Sequence, residues 1–186
     1  MRLRSLLAFA ATVILAACSN DNLLPVAASP NAVLPVTLGA LRSTSVQTPS
    51  AFSVFASGAL RTDAALGSNF DFLYDIDPVL GPAFFPAEVV KVIPPSSTNP
   101  GLKRMNVPFD SIKVADLNGY TNDAFLTVDS GDVFLVRSGI VCSQGVPMYG
   151  KLVVTQVDTV AHEVTFNVLV DNNCGYRGLQ PGFPKN

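Results

Sequence analysis

The feature that most constrains the fold of this chain is an alternation of apolar and polar residues with a period of two. In the segment 70–76 (FDFLYDI), aromatic and aliphatic side chains share one face, and the other face carries Leu73 between two aspartates. This alternation is typical of a half-buried β-strand. Similar short segments, rich in Val, Ile and Phe and bounded by turn residues, lie at 52–56, 87–93, 111–114, 124–128, 133–138, 151–157 and 163–170. No window carries a helical apolar stripe of three turns, so we predict a single all-β domain, an antiparallel β-sandwich or a barrel-like meander.

The first 17 residues have the pattern of a secretory signal peptide. Arg2 and Arg4 precede an uncharged, mostly apolar run at 6–16, and small residues follow. The run is shorter than the roughly 20 residues that a membrane-spanning helix needs. We therefore predict that residues 1–17 are a leader that is removed on export.

The end of this leader, Leu15-Ala16-Ala17-Cys18, resembles the lipobox of bacterial lipoproteins. The resemblance implies cleavage before Cys18, a thioether-linked diacylglycerol on its sulfur and acylation, for example with palmitate, of its amine. It also implies a protein anchored in the bacterial cell envelope, at the outer membrane, with a periplasmic or surface-facing domain.

The residues after Cys18 predict an extended tether. Pro25, Pro30 and Pro35 recur at regular intervals, and repeated prolines favour a semi-stiff, extended chain. We assign 18–35 to the lipidated cysteine and its tether and 36–186 to the all-β domain. A first strand at 32–38 is the alternative.

The charge of the chain excludes several kinds of partner. It contains 12 Lys and Arg against 14 Asp and Glu, without a basic cluster. Such a balance argues against nucleic acid as a partner and against a polybasic membrane patch. Membrane attachment is therefore expected to depend on the lipid of Cys18.

The cysteines predict one disulfide. Without Cys18, Cys142 and Cys174 remain as a pair in an oxidising compartment. The turn 129–132 predicts a hairpin between 124–128 and 133–138, followed by a meander through 151–157 and 163–170. Each cysteine follows an alternate strand of this meander, so we expect both at one end of the sheet. Two unrelated buried thiols are the alternative.

Few residues suggest catalysis. His162, the only histidine, lies in a predicted turn, and no glycine pattern typical of a nucleophile elbow frames any serine. Asp71, Asp75 and Asp77 have a spacing that would suit a hydrolase or a calcium site. The alternative, which we favour, is that they form the solvent face of an amphipathic strand. We predict that the chain is not an enzyme.

A second candidate for cation binding is the segment 116–123. Its oxygen-bearing side chains Asp116, Asn118, Asn122 and Asp123 lie in one predicted loop. Calcium prefers oxygen ligands, but the spacing is not that of an EF-hand, and the same residues form ordinary turns.

The run 82–86 (PAFFP) predicts a ligand contact at Phe84 and Phe85. Proline donates no ladder hydrogen bond, which argues against a central strand here. Adjacent residues of an extended segment point to opposite sides, so one ring is expected to be exposed. A loop that closes one end of the sandwich is the alternative.

Three strand-like segments have a recurring pattern of apolar residues: GDVFLVRS at 131–138, YGKLVV at 149–154 and the aromatic-Asp segment 70–76. Together they resemble the strands of HmuY-like haem-binding lipoproteins. The resemblance implies a lipid-anchored all-β domain and haem as a cofactor. That family uses two axial histidines, so here His162 would need Met148 or Met105 as second ligand.

Together these features predict a lipid-anchored envelope domain that binds an envelope protein or a small ligand through loops such as 78–86, 94–101 and 116–123. Haem or small-ligand capture is the second hypothesis, and a hydrolase built on the three aspartates is the third.

Overall fold

The structure, a computed structural model, describes residues 25–62, 70–90 and 93–184. Cys18 and the predicted leader lie outside the described residues. The described chain forms an all-β, antiparallel sandwich of two five-stranded sheets, which confirms the predicted fold class. The elements are β1 (Val33–Gly39), β2 (Ala51–Ser53), β3 (Gly58–Leu60), β4 (Phe72–Asp77), β5 (Gly81–Pro86), β6 (Gly101–Met105), the 3₁₀-helix η1 (Phe109–Ser111), β7 (Leu126–Thr127), β8 (Val133–Ile140), β9 (Pro147–Asp158) and β10 (Glu163–Val170).

The first sheet has the order β1-β10-β9-β8-β6 and contains the predicted meander β8-β9-β10. The second has the order β3-β2-β4-β5-β7. The predicted hairpin between 124–128 and β8 is wrong, because β7 pairs with β5 in the second sheet. The turn between β7 and β8 crosses between the sheets, and Gly131, with φ of 94°, donates its N–H to Val154 O at 2.8 Å.

Aromatic rings from both sheets fill the space between them. Phe72 and Phe84 of the second sheet have ring centroids 4.8 Å apart, and Phe52 meets Phe166 of the first sheet at 5.7 Å in an edge-to-face arrangement. Phe84 also lies 5.7 Å from Phe134. All five rings are fully buried, and such offset pairs contribute beyond their buried area. The period-two face of β4 therefore forms the main core.

Loops cover the outer faces of both sheets, and two predicted strands belong to these loops. Residues 111–114 end η1 and cross the outer face of the first sheet, where the buried Lys151 Nζ donates to Phe109 O at 2.8 Å and Ile112 O at 2.9 Å. The described part of 87–93 is a turn that packs on the second sheet. Ile112 in the first segment and Ala87, Val90 and Ile93 in the second pack against the sheets, and their apolar pattern alone does not distinguish such a cover from a strand.

The predicted disulfide between Cys142 and Cys174 is confirmed, with Cα atoms 5.7 Å apart. Cys142 follows β8 and Cys174 follows β10, so the bridge joins two loops at one end of the first sheet.

The predicted tether is partly folded, which corrects its boundary. β1 begins at Val33, and Asn31 pairs with Gly182 through two backbone hydrogen bonds of 2.8 and 2.9 Å. Pro25 O accepts a hydrogen bond from the Tyr176 hydroxyl at 2.9 Å. Proline lacks only the donor, so its carbonyl still pairs with the body of the protein. The folded domain therefore begins before residue 36.

Candidate functional site

The sandwich has two poles with different surfaces. We define the N-terminal pole by the segments 25–32, 54–57, 141–146 and 171–176, which meet where β1 begins and β8 and β10 end. We define the distal pole by the loops 40–49, 77–81, 129–132 and 158–162, at the opposite ends of the same strands. The register sets this division, because Val33 pairs with Leu169 and Gly39 with Glu163.

Two loops of the distal pole have the same design. In the turn 77–81, Asp77 Oδ1 accepts the N–H groups of Val79 at 2.9 Å and Leu80 at 3.0 Å. In the turn 158–162, Asp158 Oδ1 accepts those of Val160 at 2.9 Å and Ala161 at 2.8 Å. These hydrogen bonds lower the pKa of both carboxyl groups. Each turn thus holds a carboxylate at its base.

The two turns also present the same side chain. Val79 is 89% exposed and Val160 is 90% exposed, so an isolated valine stands at each tip. Each turn closes with a residue in the left-handed region, Gly81 with φ of 84° and His162 with φ of 59°. The shared sequence pattern, aspartate followed two residues later by valine, is the signal from which these tips could have been predicted.

An ion pair attaches the third distal loop to the second sheet. Arg42 Nε lies 2.5 Å from Oδ2 of the buried Asp75, whose Oδ1 accepts the Arg42 N–H at 3.2 Å. Leu41 N–H donates to Tyr74 O at 3.1 Å. The loop 40–49 is therefore fixed against β4 and carries the exposed Val46.

The distal pole combines aliphatic tips with charge. Leu41, Val46, Val79, Leu80 and Val160 are exposed there, among Arg42, Asp77, Asp129, Asp132, Asp158 and Glu163. Apolar contacts within a polar rim are typical of protein–protein interfaces. This pole is the candidate interaction site.

The three aspartates of the hydrolase hypothesis do not form the solvent face that we favoured. Asp71 and Asp75 are 6% and 4% exposed. Asp71 lies toward the N-terminal pole, where its Oδ2 accepts Val54 N–H at 2.6 Å, and burial raises its pKa to about 7. Asp75 is four residue steps further along the extended chain, which corresponds to about 13 Å. Asp75 is paired with Arg42 and Asp77 belongs to its turn, so the three carboxyl groups have separate partners.

Phe84, one of the two rings predicted to contact a ligand, is fully buried between the sheets. The run 82–86 belongs to β5, a central strand, although it contains two prolines. Pro82 O accepts Val128 N–H at 2.9 Å, so the backbone of Pro82 faces the short strand β7 and not β4. The N–H group that Pro82 lacks would therefore point toward β7, so its absence costs no hydrogen bond between β5 and β4. Phe85 points to the outer face, 5.7 Å from Phe125.

The candidate calcium residues have separate partners. Asp116 Oδ2 pairs with Lys103 Nζ at 2.7 Å, and Asn122 Nδ2 donates to Glu88 Oε2 at 2.9 Å. Asn118 and Asp123 are exposed. Within 25–62, 70–90 and 93–184, no group of three His, Cys, Asp or Glu side chains has a metal-binding arrangement.

The candidate haem ligands lie apart. His162 is in a distal turn, whereas Met148 is buried in the main core near the disulfide loop. Met105 ends β6, three strand positions from β10 in the first sheet.

An apolar pocket of about 50 Å³ lies at the N-terminal pole, lined by Pro30, Ala32, Leu34, Ser57, Val168, Val170 and Asn172. It is smaller than the roughly 300–1,000 Å³ of typical small-molecule sites.

No helix among the described residues is long and apolar enough to cross a membrane. Comparison of the chain with family models, with curated proteins and with solved structures finds no match. The site is therefore interpreted from its own residues.

Proposed function

We propose that this protein is a lipid-anchored interaction module of the bacterial cell envelope. In this proposal, Cys18 carries the lipid, and the loops of the distal pole bind a protein partner. The observation that carries it is the opposition of the two poles. Residues 25–31 are hydrogen-bonded at the N-terminal pole, while the exposed valines of two matched turns stand at the other.

The geometry favours partner binding at the distal pole because its tips are held rigidly. Asp77 and Asp158 each bind two backbone N–H groups, which limits the freedom that the turns lose on binding. The surrounding carboxylates and Arg42 supply a charged rim that sets orientation and partner choice. A partner with a small apolar groove and basic groups at its edge fits this surface.

Anchoring is tested first. In cells of the native host, the intact mass of the mature chain should exceed that of residues 18–186 by a diacylglycerol and an acyl group. A Cys18→Ser variant should lose this mass and leave the membrane fraction. Unmodified Cys18 in the wild-type chain would contradict the proposal.

Partner binding is tested with a photo-crosslinking amino acid at Val79 or Val160. Val114, 55% exposed on the loop that covers the first sheet, provides the control position. Discrete crosslinked bands are expected at the two distal positions and not at Val114. The Asp77→Ala variant, which frees the turn, should weaken the band at Val79. Equal crosslinking at all three positions would contradict a distal binding site.

A further inference from the structure

The N-terminal pole carries almost no charge. We extend it here to its flanking residues and define the uncharged cap as the segments 25–35, 54–58, 139–147, 171–176 and 178–184. Among Asp, Glu, Lys and Arg, these segments contain Asp171 alone. Asp171 is fully buried, and its Oδ1 accepts both the backbone and side-chain N–H groups of Asn173. Arg177, which lies between two of these segments, is half-buried, and its Nη1 donates to Ala115 O at 3.0 Å on the loop that covers the first sheet. The cap segments themselves therefore present no charged side chain to their surroundings.

The same cap exposes large apolar side chains. Val26 is 91% exposed, Phe55 64% and Phe183 62%, and Leu34, Ile140 and Val141 are exposed beside them. Hydrogen bonds join the segments that carry them, since Ser57 Oγ donates to Asn172 Oδ1 at 2.5 Å and Asn31 pairs with Gly182. An exposed apolar surface shared by several segments marks an interaction site.

We infer that the uncharged cap lies on the lipid surface, with its apolar side chains in the boundary between headgroups and acyl chains. This inference rests on the proposed lipid at Cys18. Only the six residues 19–24 separate Cys18 from Pro25, so the two are seven residue steps apart and at most about 25 Å from each other. Because Pro25 is hydrogen-bonded to Tyr176 in the cap, an anchored chain keeps this pole close to the bilayer.

The two poles differ in surface charge, as expected if the cap faces the bilayer and the distal pole faces water. Burying the distal pole in a bilayer would desolvate its charged residues at high cost, whereas the cap has no charged side chain to desolvate. Apolar burial and not attraction to anionic lipid holds the cap there. The contact is therefore insensitive to salt and needs no anionic lipid.

The test uses the lack of tryptophan in this chain. Single-tryptophan variants Phe55→Trp and Phe183→Trp report from the cap, and Val160→Trp reports from the distal pole, at a position that is more exposed than either. The protein used is the chain from Cys18 to Asn186, which contains every described element. Because Cys142 and Cys174 are bridged, Cys18 carries the free thiol of this chain. A maleimide lipid in phosphatidylcholine vesicles therefore couples to Cys18 whether or not cells acylate it.

Cap contact predicts a blue shift of the emission at positions 55 and 183. It also predicts quenching by brominated lipid at least twofold stronger there than at position 160, unchanged by salt or by anionic lipid. Circular dichroism checks the fold of each variant, and position 183 replaces position 55 if Phe55→Trp does not fold. Quenching at 160, quenching at none of the three, or a requirement for anionic lipid would overturn the inference. Failure of Cys18 acylation in cells would instead overturn the proposed function.

Discussion

The side chain of Asn173 pairs with the backbone of Ser29, 144 residues earlier in the chain. Ser29 N–H donates to Asn173 Oδ1 at 3.0 Å, and Asn173 Nδ2 donates to Ser29 O at 2.9 Å. Ala28 N–H donates to the same Oδ1 at 2.8 Å. Asn173 is the neighbour of the bridged Cys174, so the loop that carries one end of the disulfide also binds the N-terminal segment.

The first prediction concerns this pairing. Asn173→Ala removes the acceptor for Ala28 and Ser29, and a net hydrogen bond stabilises by about 1 kcal/mol. Amide hydrogen exchange at residues 28 and 29 should therefore become about tenfold faster, as measured by mass spectrometry of the peptides that contain them. Asn172→Ala, an exposed neighbour that bonds Ser57, is the control and should leave their exchange unchanged. Unchanged exchange in Asn173→Ala would show that other contacts hold this segment.

The second prediction concerns the disulfide. Replacing Cys142 and Cys174 together by serine should lower the free energy of unfolding by about 3–4 kcal/mol, because the bridge closes a loop with a sequence separation of 32. Urea denaturation measures this loss. The same variant should also speed exchange at Ala28, since Asn173 loses the support of its neighbour. Two reactive thiols at these positions in the wild-type chain under non-reducing denaturing conditions would contradict the bridge.

The third prediction is a pH dependence caused by Asp71. Burial raises its pKa from 3.8 to about 7, so between these values the folded state keeps a proton that the unfolded state has lost. Stability is then highest at low pH and falls as pH rises toward 7, by at most about 4 kcal/mol from this group. Urea denaturation at pH 5 and pH 8 should show the fall in the wild type and a flatter profile in Asp71→Asn.

Asp77→Asn is the matched control for this titration. Asp77 is only partly buried, and two backbone hydrogen bonds lower its pKa, so it stays ionised from pH 5 to pH 8 in both states. Its variant should keep the wild-type slope over this range. If the free energy of unfolding of Asp71→Asn fell with pH as steeply as that of the wild type, the pH dependence would come from another group.

The fourth prediction concerns the backbone of His162. A φ of 59° strains an L-residue by about 1 kcal/mol, whereas glycine adopts this φ without strain. His162→Gly should therefore raise the free energy of unfolding by about this amount, whereas His162→Ala, which removes the ring and keeps the strain, should not. Chemical denaturation of the two variants measures the difference. Equal losses in both would show that the ring contributes more than the backbone strain costs.

The pattern of β10 illustrates what local sequence predicts well. The segment 163–170 was predicted and observed with the same bounds, because period-two burial is a property of neighbouring residues. The pairing of Cys142 with Cys174 followed from the number of cysteines, and the up-and-down order of the same meander placed both at one end of the sheet. The matched turns at Asp77 and Asp158 were missed as a pair, although their common pattern is visible in the sequence.

Asp71 and Phe84 show what local sequence does not determine. An aspartate between apolar residues suggests a solvent face, yet the loop that carries Val54 covers Asp71 and binds its carboxylate. Two prolines suggest a loop, yet Phe84 lies in a central strand. Its neighbour β7 pairs with β5 at only two positions, Ala83 and Phe84, so this pairing does not use the N–H groups that the prolines lack. In both cases the outcome depends on which distant segment packs against the residue.

The sequence by itself determined the β class, the meander of β8, β9 and β10, and the cysteine pair, because each follows from the pattern of neighbouring residues or from the number of cysteines. The tertiary structure decided that residues 25–31 pack on the domain and that charge is absent from the surface of one pole. Those properties arise from contacts such as Ser29 with Asn173 and Asn31 with Gly182. These contacts join residues far apart in the chain, so a local sequence pattern does not reveal them.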